Sequence, residues 1–177
     1  MFEHPLPLTI KPVKLARQEG KLSGFMPLQQ LTTLAADCVS EEGRVEADLQ
    51  LRMEQSRPEI HGTANAEVKL VCQRCLEPVA VKVDVSIALG FVQDEAQIAQ
   101  LPESLEPFML EEEEVPLAEL LEQELILALP IVAYHDTCEP YPYAGKEEAE
   151  AAVADEKPNP FAVLEQLKDS LKKSDKK

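Results

Sequence analysis

Between residues 44 and 91 the chain changes character at every second residue, and does so three times in succession. Val45, Ala47, Leu49, Leu51 and Met53 alternate with Arg44, Glu46, Asp48, Gln50, Arg52 and Glu54. From about 59 to 71, Ile60, Gly62, Ala64, Ala66, Val68 and Leu70 fall on one parity. From 79 to 91, Val79, Val81, Val83, Val85, Ile87 and Leu89 oppose Ala80, Lys82, Asp84 and Ser86. A period of two belongs to a strand with one dry and one wet face. The connections are short: Ser56-Arg57-Pro58 reads as a turn, and Cys72-Gln73-Arg74-Cys75 separates the last two runs. Three such strands predict an antiparallel meander that buries one face only. The rest of the chain must therefore supply a cover.

The flanks are mixed. Residues 5–26 read as extended, since Leu6, Leu8 and Ile10 alternate with Pro7, Thr9 and Lys11, and a second short extended piece covers 21–26. Pro5, Pro7 and Pro12 lack backbone donors, so this leader is expected at a sheet edge. A helix is expected over about 27–37, with Pro27 in its first turn and Leu28, Leu31, Leu34 and Ala35 at helical spacing. Residues 94–100 can form a short helix. Residues 117–129 form a longer one, with Leu117, Leu120, Leu121, Leu125 and Ala128 as an apolar stripe, Glu119, Glu122 and Gln123 facing water, and Pro130 as its stop. The expected class is α+β: an antiparallel sheet packed with helices, one domain over 1–135. Residues 136–160 read as an acidic linker without a periodic apolar face. Phe161, Leu164, Leu167 and Leu171 predict a short amphipathic helix within a basic tail over 161–177.

Net charge bears on the choice of partner. Seventeen Lys and Arg stand against 33 Asp and Glu, a formal −16 over 177 residues. Read as a whole, that charge repels phosphate. Read by segment, it does not. Residues 1–90 are nearly neutral, at −2; residues 91–156 carry −17; residues 157–177 carry +3. What is excluded is a uniformly basic nucleic-acid-binding surface. RNA contact is expected from the first half or the tail, and the acidic stretch is expected to face away or to meet a cationic protein. No run of apolar residues is long enough to span a membrane, and the start of the chain has no basic region leading into an apolar one. A cytoplasmic location with no membrane partner is expected.

The four cysteines are Cys38, Cys72, Cys75 and Cys138. In a reducing compartment they are thiols or metal ligands rather than disulfides. Cys38 reads as a small buried hydrophobe. Cys72 and Cys75 form a CxxC pair between two strands, where a tight turn can bring both sulfurs onto one ion. A redox CxxC normally opens a helix that lowers the thiol pKa; Pro78 and the strand after it disfavour that reading here. His135 and Cys138 form an HxxC pair after the long helix, and CxxC with HxxC would make a Cys3His zinc set. His4 and His61 read as ordinary surface or strand residues. No GxSxG elbow, P-loop or GxGxxG is present. The expectation is a chain that is not an enzyme and needs no cofactor. Zinc on Cys72, Cys75, His135 and Cys138 is held as the alternative, together with a thiol- or zinc-dependent enzyme or redox protein centred on the CxxC.

Three stretches carry a resemblance. Cys72-Gln73-Arg74-Cys75 with Leu76-Glu77-Pro78, then Glu124 to Pro130 (ELILALP) with the following IVAYHD, and last Lys157 to Leu164 (KPNPFAVL), resemble the bacterial YceD family. Members of that family are called large ribosomal RNA subunit accumulation proteins. The resemblance covers nearly the whole chain, in the family's order. It implies a non-enzymatic ribosome biogenesis factor that supports accumulation or processing of 23S ribosomal RNA, with no catalytic residue to carry over. Some members have a cysteine-rich segment after the long helix. This chain keeps only His135 and Cys138 there, which implies packing in place of a metal.

The implied partners are a precursor of the large-subunit RNA or particle and a basic ribosomal protein. Arg44, Arg52, Lys69, Arg74 and Lys82 are the candidate RNA or partner contacts, on the wet face of the meander and the CxRC turn. Glu111, Glu112, Glu113 and Glu114 are the candidate dock for a basic protein, because opposite charges speed association.

Overall fold

The computed structural model describes residues 3–142; the greater part of the expected linker and all of the C-terminal helix and basic tail lie outside them. The chain divides into two compact units, Met1–Pro140 and Tyr141–Lys177, and the helices and strands described all belong to the first. In chain order these elements are strand β1 (Thr9–Ile10), helix α1 (Pro12–Arg17), strand β2 (Lys21–Pro27), a 3-10 turn (Leu28–Gln30), helix α2 (Thr32–Asp37) and strands β3 (Arg44–Glu54), β4 (Arg57–Val71) and β5 (Pro78–Val92). Helix α3 (Glu95–Ile98), strands β6 (Glu106–Met109) and β7 (Val115–Pro116) and helix α4 (Leu117–Ala128) complete the unit.

The expected meander is present, in the expected α+β class. Strands β3, β4 and β5 pair antiparallel in sequence order, with Leu49 opposite Gly62 and Ala64 opposite Val85. Two further strands complete a five-stranded sheet in the order β2-β3-β4-β5-β6: β2 adds antiparallel to β3, and β6 adds parallel to β5. Strand β1 pairs with β7 in a separate two-stranded ladder.

The dry face carries Val45, Ala47, Leu49, Leu51, Ile60, Ala64, Val68, Val83, Ile87 and Leu89, all buried. Its cover is α4, through Leu117, Leu120, Leu121 and Leu125, with Leu28, Leu31, Leu34 and Ala35 beside it. The core is almost entirely aliphatic. Among the described residues Phe91 is the one aromatic buried in it, packed edge-to-face on Phe108 of β6 at 5.5 Å between centroids.

Local details depart from the sequence expectation in four places. Residues 5–26 are not extended throughout: Pro12 starts α1, where its fixed φ suits the first helical position and its missing N–H costs nothing. Lys14 and Arg17 in the last turn complement the helix dipole. The helix expected over 27–37 is shorter, because Pro27 ends β2 and Leu31, at φ −97° and ψ 79°, is not helical; α2 begins only at Thr32. The turn between β3 and β4 is Gln55-Ser56, not Ser56-Arg57-Pro58. Both residues have positive φ, 48° and 67°, the two-residue geometry whose twist matches the flanking strands. Glu122 is half-buried rather than simply facing water: its carboxylate accepts hydrogen bonds from the backbone N–H groups of Thr33 and Leu34, and so caps α2 from α4. A side-chain cap from a distant helix leaves no local signature at Thr32.

Gly62 has a steric duty. A Cβ at this position would lie 2.0 Å from the Asp48 carbonyl oxygen of the neighbouring strand. Gly62→Ala is therefore expected to destabilise the fold by about 1–3 kcal/mol through overpacking, read as a lowered midpoint in urea or thermal melting. An unchanged midpoint would show that β3 and β4 are not so closely apposed.

Candidate metal centre

Strands β4 and β5 are joined by the CxRC turn. The Cys72 N–H donates to the Glu77 carbonyl at 2.9 Å, and the Leu76 N–H donates to the Cys72 carbonyl at 2.9 Å. Closing so tight a loop puts Leu76 at φ 65°, a left-handed conformation that costs a branched residue energy. Leu76 gains no burial in return, since its side chain is 52 % exposed. What the strained turn achieves is convergence: the sulfurs of Cys72 and Cys75 point to the same side.

The other half of the site comes from the stretch after α4. Pro130 ends the helix, and the residues after it cross the CxRC turn without regular structure. Gln73 N–H donates to the Ala133 carbonyl at 2.9 Å, and Arg74 Nη1 donates to the Cys138 carbonyl at 3.4 Å. The Arg74 guanidinium also lies 5.4 Å from the Tyr134 ring centre, a cation–π contact. Cys72, Val79 and Ala133 form a small buried cluster with Leu70, Cys75, Val81 and Cys138 around it, apart from the main core.

Within this cluster the ligand atoms of Cys72, Cys75, His135 and Cys138 all lie within 4.8 Å of one another. Cys72 Sγ is 3.8 Å from Cys138 Sγ, and Cys75 Sγ is 3.4 Å from His135 Nδ1. A tetrahedral zinc ion with bonds of about 2.3 Å to sulfur and about 2.0–2.1 Å to nitrogen sets sulfurs about 3.8 Å apart and sulfur and nitrogen about 3.5 Å apart. A disulfide would need about 2.05 Å, and all four cysteines are free thiols. The donor set and its spacing fit zinc.

The thiols differ in their readiness to ionise. Burial pushes Cys72 up, but backbone N–H groups of Cys75, Arg74 and His135 and the Cys75 thiol outweigh it and bring the pKa down to about 5. Burial, followed by the hydrogen bonds and charges of Cys75 and Cys72, pushes Cys138 up to about 11. One thiolate is thus already favoured, and a divalent cation would be needed to ionise Cys138 beside it.

The candidate contact residues fall on different parts of the unit. Arg44, Arg52, Lys69 and Lys82 lie on the wet face of the sheet, interleaved with carboxylates. Arg44 pairs with Glu46 at 2.6 Å, Arg52 lies 3.6 Å from Glu59, and Lys82 stands opposite Glu67. Lys69 and Arg44 edge the same shallow depression as Glu42, Glu46 and Glu67. Glu59 is buried, at 2 % exposure. Burial pushes its carboxyl up, but hydrogen bonds from His61 and Arg57 and their charge prevail and hold it below its ordinary value. His61 is thus tied into the sheet through Glu59, at 3.0 Å. Arg74 sits apart on the CxRC turn.

Of the four consecutive glutamates, Glu113 and Glu114 reach Lys11, at 3.7 and 3.0 Å. Glu111, Glu112, Glu114 and Glu119 edge a groove of about 490 Å³ between β6 and α4, with Phe108, Met109, Val115 and Pro116 as its apolar lining. Sequence reading missed Leu76, Ala133 and the groove. An apolar residue after CxxC carries no signal of its backbone conformation, and β6 is too short and proline-interrupted to be read as a strand.

Comparison with known proteins gives a family match over residues 60–168, to the model described as "Large ribosomal RNA subunit accumulation protein YceD". A Haemophilus influenzae protein of the same description is 34 % identical over 170 residues, covering 92 % of this chain and 96 % of the relative. No solved structure matches the chain.

Leu76→Gly is expected to stabilise the chain by about 1 kcal/mol, by relieving the positive-φ strain; an equal or lower melting midpoint would mean that the leucine side chain contributes packing instead.

Proposed function

We propose a function from the premise that this chain belongs to the YceD family, the large ribosomal RNA subunit accumulation proteins. The chain supports accumulation of large-subunit ribosomal RNA as a non-enzymatic factor that binds the precursor RNA or particle in the cytoplasm. The observation that carries this reading is the match to the Haemophilus influenzae relative along nearly the full length of both chains. Among the described residues no helix is long and apolar enough to cross a membrane.

The geometry around Cys72 favours a structural role over a thiol enzyme. The residue is 0 % exposed, so its low-pKa thiolate is out of reach of a substrate, and it is surrounded by three further ligand groups. Zinc held by Cys72, Cys75, His135 and Cys138 would act as a clamp. It would fasten the stretch after α4 to the β4–β5 turn, where only a small cluster and a few hydrogen bonds otherwise hold it. Arg74 is then fixed at the surface beside Tyr134, while the groove bordered by Glu111, Glu112, Glu114 and Glu119 receives a basic ribosomal protein by charge complementarity.

Two measurements test this reading. Purified chain is expected to contain one equivalent of zinc by elemental analysis, reduced in Cys75→Ser and His135→Ala. Zinc-free wild-type chain with an undiminished melting midpoint would exclude the clamp. Deletion of the gene is expected to lower the ratio of large- to small-subunit ribosomal RNA, with restoration by the wild-type chain. A deletion strain with normal large-subunit RNA would overturn the proposed function itself.

A further inference from the structure

The end of the sheet remote from the CxRC turn holds a second surface with a different chemistry. A cavity of about 530 Å³ opens there between the β3–β4 turn, the end of β5, α1 and the residues around α3. That volume lies in the range of small-molecule sites. Its apolar part is supplied by Val13, Met53, Pro58, Phe91 and Leu110, and its polar part by Ser56, Arg17, Arg57 and the amides of Gln55, Gln93, Gln97 and Gln100.

What sets it apart is charge. The chain has 33 acidic residues, yet none of the cavity's lining residues is acidic and two are arginines. Three of the amides are uncommitted: among the described residues the side chains of Gln55, Gln93 and Gln100 make no hydrogen bond. The fourth, Gln97, is tied into the scaffold, accepting from the Gln93 N–H at 2.9 Å and donating to Asp94 at 3.3 Å. Arg57 is fixed by Glu59 at 3.1 Å and is 15 % exposed in its side chain, whereas Arg17 is exposed at the rim.

An uncommitted amide offers both a donor and an acceptor, the complement of a base edge, while guanidinium is the group suited to phosphate. An apolar wall beside them suits the face of an unpaired base. We infer that this cavity binds a single-stranded nucleotide segment of RNA, with the base against Val13, Met53 and Leu110, its edge met by Gln93 and Gln100, and a phosphate met by Arg17. The inference rests on the proposed role in large-subunit RNA accumulation and gives that role an RNA contact. It also moves the contact away from the wet face of the sheet, where Arg44, Arg52 and Lys82 are each matched by a carboxylate. The cavity and the CxRC turn lie at opposite ends of β4, which spans Arg57–Val71, on the order of 45 Å apart for a strand of that length.

The two ends allow a decisive comparison. Full-length chain is titrated into a labelled single-stranded RNA of about ten nucleotides and mixed sequence, with a duplex RNA as the alternative probe. Binding to the single strand is expected, weakening about tenfold in Arg17→Glu and in the double variant Gln93→Ala/Gln100→Ala, with melting midpoints confirming that both fold. Arg17→Glu should also lower the slope of affinity against salt by about one phosphate contact. Arg74→Glu and Lys82→Glu, away from the cavity, should bind as the wild type does. The inference is overturned if the cavity variants bind RNA unchanged, if Arg74→Glu removes binding instead, or if wild-type chain takes the duplex in preference to the single strand. Large-subunit RNA levels separate this from failure of the functional reading. Full rescue of a deletion strain by Arg17→Glu removes the cavity's role alone, whereas a deletion without phenotype removes the reading it rests on.

Discussion

The burial of one face of the β3–β4–β5 meander beneath α4 is the interaction on which the rest of the structure depends. Strict alternation makes the sheet apolar on one side only, so the fold requires a cover, and Leu117, Leu120, Leu121 and Leu125 provide it without exposure. Each fully buried leucine contributes about 1.5–3 kcal/mol of transfer free energy, more than any single polar contact in the unit. Seating α4 has two further effects. Its carboxylate Glu122 caps α2, and its end at Pro130 delivers His135 and Cys138 to the CxRC turn.

A long hairpin with both ends elaborated explains how a small acidic chain can present separate surfaces. The β4–β5 turn carries Arg74 and two of the four converging candidate ligands, Cys72 and Cys75, and the stretch after α4 brings His135 and Cys138 to them. The β3–β4 turn, at the other end of β4, borders the cavity lined with arginine and glutamine. Between them the wet face is charge-matched, with Arg52 against Glu59 and Lys82 opposite Glu67, and so offers no continuous basic strip. Acidic residues collect instead around the groove between β6 and α4. Segregation of charge, rather than its total, is what makes a formal −16 compatible with a partner that carries phosphate.

The alternation of 44–91 and the leucine stripe of 117–125 were legible in the sequence because burial imposes a period on them, and both elements stand where the period places them. Short elements were not. Helix α1 and strand β6 have too few residues to establish a period, and they exist because neighbours pair with or cover them. The CxxC and HxxC pairs were visible as spacings, but their convergence depends on tertiary packing, on Leu76 at positive φ and on the Gln73–Ala133 bond. The cavity left no motif, since its lining is gathered from four separate stretches.

If the chain meets a large-subunit precursor through separate surfaces for RNA and for basic protein, both partners must be found on it together. Crosslinking in living cells followed by affinity purification tests this, with RNA and protein partners identified in the same sample. Large-subunit RNA is expected to crosslink near Arg17 and Gln93, and a basic ribosomal protein near Glu111 and Glu112. Recovery of neither large-subunit RNA nor large-subunit proteins would refute the division of the chain into these two surfaces.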